Sequence, residues 1–62
     1  MAIAQGTIVH DPNEPELVGV VIEYPAVDPE GHSHDDLATV RWTKRGEPSF
    51  NELEEVSTLT AW

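Results

Sequence analysis

Leu17-Val18-Gly19-Val20-Val21-Ile22-Glu23-Tyr24 is the stretch whose reading decides the fold. Val18, Val20, Val21 and Ile22 are β-branched and Tyr24 is aromatic, side chains that lose rotamer freedom in a helix but pack well on a pleated sheet. The stretch reads as a strand, and as the strongest strand signal in the chain it reads as the central one. Gly19 interrupts it, a residue that could permit a bulge or a sharp bend.

Working outward, Gly6-Thr7-Ile8-Val9-His10 carries a β-branched run after a glycine, giving a first strand over about 6–10. The Asp11-Pro12-Asn13-Glu14-Pro15-Glu16 segment, with two prolines, reads as the loop that follows. On the other side, residues 25–36 (P-A-V-D-P-E-G-H-S-H-D-D) hold proline, glycine, acids and small polar groups over a length that ordinary connections do not reach. Loops of that length tend to be functional or mobile. Leu37-Ala38-Thr39-Val40-Arg41-Trp42-Thr43 then alternates with a period of two, Ala38, Val40 and Trp42 sharing an apolar face.

Lys44-Arg45-Gly46-Glu47-Pro48 supplies a turn, and Ser49 with Glu52 three residues later has the form of a capping box. That pattern predicts one helical turn over Phe50–Glu55 and a returning strand over Val56–Thr60. The sum is an all-β domain spanning 1–62: a small five-stranded barrel with one short helical turn before its last strand, closure hiding edges that would otherwise aggregate.

The segments G-T-I-V, L-V-G-V-V after a proline-bearing loop, A-T-V-R-W, and S-F-N-E-L-E-E-V resemble, in that order, the SH3-like barrels. Within that superfold the order is similar to the small stromal ferredoxin-docking subunit of photosystem I and to the variable chain of ferredoxin-thioredoxin reductase. The resemblance implies a fold. The docking of acidic ferredoxin that it also implies needs a basic surface, whereas this chain is acidic.

Twelve Asp and Glu face three Lys and Arg, a formal charge of −9. Such a field repels phosphate backbones and anionic membranes, so neither nucleic acid nor a membrane is expected as a direct partner. With no cysteine, disulfides and thiolate metal sites are excluded. Met1 to Gln5 lacks the charged and apolar regions of a signal peptide, and no apolar run has the length of a membrane span. The expected setting is the cytoplasm or a viral particle.

His32, His34 and Asp36 have the side-chain types that bind a divalent ion, but a site built on adjacent residues closes only if the loop curls around it. A solvated loop is the reading, with no metal and no cofactor. No phosphate-binding glycine loop, H-E-x-x-H or cysteine nucleophile is present, and a filled small barrel leaves little room for a substrate, so neither catalysis nor a small-molecule ligand is expected.

What remains is protein binding, as an accessory or structural subunit of a larger assembly. Candidate contacts are the cluster Arg41, Lys44 and Arg45, a basic knuckle for an acidic patch; His32 and His34 in the long loop; and Trp62, an aromatic anchor. The acidity itself supports an alternative, a DNA mimic that occupies the basic groove of a nucleic-acid-binding protein.

Overall fold

The structure is a computed structural model that describes residues 3–61. Seven strands run β1 (Ile8–Asp11), β2 (Glu14–Glu23), β3 (Ala26–Val27), β4 (Ser33–His34), β5 (Leu37–Lys44), β6 (Phe50–Glu55) and β7 (Thr60–Ala61), with a 3-10 turn at Val56–Thr58. β3 and β4 make a separate two-stranded sheet, and the other five form one antiparallel sheet in the order β6-β5-β2-β1-β7. β2 is central, as its sequence demands. Among the described residues β6 and β7, the ends of that order, do not pair with each other, so backbone hydrogen bonds there do not close the sheet into a barrel. Among the described residues no helix is long and apolar enough to cross a membrane.

The core is Val9, Leu17, Val21, Ala38, Val40 and Trp42, with Ile3, Tyr24, Val56 and Leu59 packed against it. Its logic is period two: β5 buries Ala38, Val40 and Trp42 and turns Thr39, Arg41 and Thr43 outward, while β2 buries Leu17, Gly19 and Val21. Gly19 makes neither the bulge nor the bend that its place in the strand suggests. The register shifts fall instead at His10/Asp11 and Val21/Glu23. Gly19 stands opposite Trp42, and a Cβ there would lie 2.8 Å from the indole and 2.6 Å from Val40. Its missing side chain is the space that the tryptophan occupies.

Other boundaries also move. The first strand begins at Ile8, and the turn after it contracts to Pro12-Asn13, where the Asn13 N–H donates to Asp11 Oδ1 at 2.9 Å. Pro15 joins β2 within the His10/Asp11 irregularity, before pairing with β5 starts at Leu17, so its missing N–H costs no ladder bond.

The helical turn expected over Phe50–Glu55 is a strand, and the turn that does form lies at Val56–Thr58, shortening the last strand to Thr60–Ala61. Ser49 caps no helix; its hydroxyl meets that of Thr43 across the β5–β6 turn at 3.0 Å. That turn places Gly46 at φ 82°, a left-handed conformation suited to glycine.

Candidate functional site: an acidic groove floored by Trp42

Because β5 and β6 pair antiparallel, Phe50, Glu52 and Glu54 stand opposite Trp42, Val40 and Ala38 on the core side of the sheet. β6 thus points two carboxylates toward the face where a strand would ordinarily place apolar side chains, and turns Leu53, 59% exposed, to the other. The carboxylates do not enter the core. They form one wall of a groove of about 450 Å³ whose opposite wall is Asp11, Glu14 and Leu17 and whose end is Lys44, Glu47 and Pro48.

Trp42 is the floor, 3% exposed, and Phe50, 44% exposed, stands at the side as an aromatic platform. Five carboxylates line the groove against one ammonium. That ammonium, Lys44 Nζ, lies 3.7 Å from Glu47 Oε2, an exposed pair worth at most about 1 kcal/mol.

With Glu52 exposed, Glu54 is the half-buried carboxylate of the β6 wall. Its Oε2 accepts the Trp42 indole N–H at 3.1 Å, which anchors the floor to the wall. Partial burial, together with the neighbouring carboxylates of Glu52 and Asp11, pushes its pKa above the ordinary glutamate value, against the lowering effect of the indole N–H. A group penalised in this way for holding charge gains from any cation brought into the groove.

Few of the residues singled out by sequence belong here. Lys44 lines the groove, but Arg41, at odd register on β5, lies on the outer face beside Asn51, and Arg45 is exposed in the turn. The three cations therefore do not form one knuckle on one face. Trp62 lies outside the described residues.

His32 and His34 do not line the groove but sit in the small β3–β4 hairpin that orders the 25–36 loop. The residue that organises this loop is Asp28. Its carboxylate accepts the N–H groups of Glu30 and His32, each at 2.9 Å, and His34 Nε2 at 2.9 Å. An ionised carboxylate only accepts, so in this contact His34 Nε2–H is the donor. The His34 hydrogen bond first, then the His32 amide, hold Asp28 below the ordinary carboxylate range.

Among the described residues Asp36 belongs to no ligand cluster, and the grouping that the hairpin does bring together is Asp28, Glu30 and His32. Asp35 and Asp36 tie the loop down through their backbone carbonyls, which accept Tyr24 Oη–H at 2.7 Å and the Val56 N–H at 2.9 Å.

No known family model matches this chain, and neither does any curated protein or solved structure. The groove is therefore read from its own chemistry.

Proposed function

We propose that this chain is a non-catalytic protein-binding module of the SH3-like barrel type, a small accessory or structural subunit of a larger assembly such as an enzyme complex or a viral particle, and that it takes a basic segment of its partner into the groove. The observation that carries this reading is the lining itself, five carboxylates around an aromatic floor with one opposing ammonium. Cations gain there from the carboxylates, and the half-exposed Phe50 offers an aromatic surface beside them.

Strand order and the 3-10 turn between β6 and β7 support the barrel type. Among the described residues the groove offers carboxylates and one ammonium but no hydroxyl, thiol or imidazole, a lining suited to holding cations. A DNA mimic would use the same charge in the opposite sense, entering a partner's basic groove. With five of twelve carboxylates lining a concavity, receiving is favoured over entering.

A nona-arginine peptide titrated into the protein at low salt tests this, with nona-glutamate as control. Two groove-wall charges, each worth up to about 1 kcal/mol, amount to a loss of affinity of up to about thirtyfold in E52Q/E54Q. K44Q should bind more tightly, and added salt should weaken every variant. Affinity indifferent to salt and to E52Q/E54Q sinks the reading. Displacement of DNA from a basic nucleic-acid-binding protein, with no nona-arginine binding, replaces it with the mimic.

A further inference from the structure

β6 is the free end of the five-stranded sheet, pairing among the described residues with β5 alone. Six residues long, it offers an edge of about 20 Å at roughly 3.3 Å per residue. A free edge is a template for another strand, and proteins commonly guard one with charges that point inward. Glu52 and Glu54 do so here. The guard is selective, because a second copy docked edge to edge would set carboxylate against carboxylate, whereas a cationic strand would find them complementary. The other face of the same edge presents Leu53, largely exposed, between Asn51 and Glu55.

We infer that β6 is extended by a partner's segment added as a further strand, basic residues alternating with β-branched ones, so that its Arg or Lys side chains lie over Glu52 and Glu54 and the alternate side chains pack beside Leu53. This rests on the groove binding a basic segment, and it adds the conformation and the sequence pattern of the occupant. Main-chain hydrogen bonds to the edge supply affinity that is blind to sequence, and the two faces supply the alternation.

The test uses an acetylated, amidated octapeptide of alternating Arg and Thr, with two derivatives N-methylated at every Arg or at every Thr. N–H groups of an added strand point alternately toward and away from the edge, so one derivative should lose at least tenfold in affinity while the other stays within threefold of the parent. In parallel, backbone amides on the outer edge of β6 should slow in hydrogen exchange on binding, and those of β7 should not.

If both derivatives bind within threefold of the parent and β6 exchange is unchanged, strand addition is wrong while the groove's preference for cations stands. If neither the octapeptide nor nona-arginine binds, both fall. Slowed β6 exchange in concentrated protein without peptide would give the edge to a second copy and overturn the proposal.

Discussion

Replacing Gly19 with alanine tests the packing on which both the core and the groove depend. The new Cβ would stand 2.6 Å from Val40 Cγ1 and 2.8 Å from Cε3 and Cζ3 of Trp42, where carbon atoms ordinarily meet at about 3.5–4.0 Å. Neither neighbour can yield cheaply: Val40 is fully buried and β-branched, and Trp42 is buried with its indole hydrogen-bonded to Glu54.

Overpacking of this kind costs about 1–3 kcal/mol, against a gain of about 0.4–1 kcal/mol from a less flexible unfolded chain. The clash wins by about 1–2 kcal/mol. In a domain of this size that is a fall in Tm of about 5–15 °C, read by circular dichroism. Because relief of the clash tilts the indole away from Glu54, the Trp42 Nε1–H resonance should shift and nona-arginine affinity should drop with it. An unchanged or raised Tm with an unmoved indole resonance would refute the placement of Trp42 against Gly19.

Two further outcomes follow from titrating groups. Glu54 has a raised folded-state pKa, so its proton-linked contribution to stability is complete below the ordinary glutamate value of about 4.3 and is lost as pH rises through the folded value. E54Q keeps an acceptor for the indole and removes that loss, so the Tm of the wild type should fall relative to E54Q as pH rises from 4 to about 7; parallel curves would refute the assignment. Asp28 has the opposite sign: its lowered pKa makes its contribution complete above the ordinary carboxylate value of about 3.9 and lost as pH falls through the folded value. The Glu30 and His32 amides, which Asp28 holds, should exchange faster in D28A at neutral pH and in the wild type only at strongly acid pH.

What the sequence disclosed was whatever repeats locally. The alternation from Leu37 to Thr43 places Ala38, Val40 and Trp42 inward, and the near-continuous apolar, β-branched run from Leu17 places β2 at the centre, because each signal is complete within one segment. Phe50–Glu55 misled for the same reason. Ser49 and Glu52 satisfy a local helix-start pattern, but pairing with β5 across the sheet outweighs it, and F-N-E-L-E-E, with Phe50 and Leu53 on opposite faces, carries no period-two signal of its own.

The role of Gly19 was illegible because its constraint comes from Trp42, a residue 23 positions on that only strand register brings opposite. The groove was hidden likewise. Its carboxylates come from β1, β2, the β5–β6 turn and β6, and no window of sequence contains them together. Asp28 was overlooked beside the two histidines, although an Asp in a P-x-x-D-P-x-G turn context is a standard acceptor for the amides that follow it.

The indole of Trp42 is at once part of the hydrophobic core and the floor of the groove. Evolution is therefore free with the walls and bound at the base. Glu47, Phe50 and Glu52 are exposed and can change charge or size at little cost to folding, so a related chain could acquire a new partner by substitutions on the β5–β6 turn and β6 alone. The floor has no such latitude: a smaller residue at 42 would open a void against Gly19, and a larger one at 19 has nowhere to go. Positions 19 and 42 should vary together or not at all, while the walls drift.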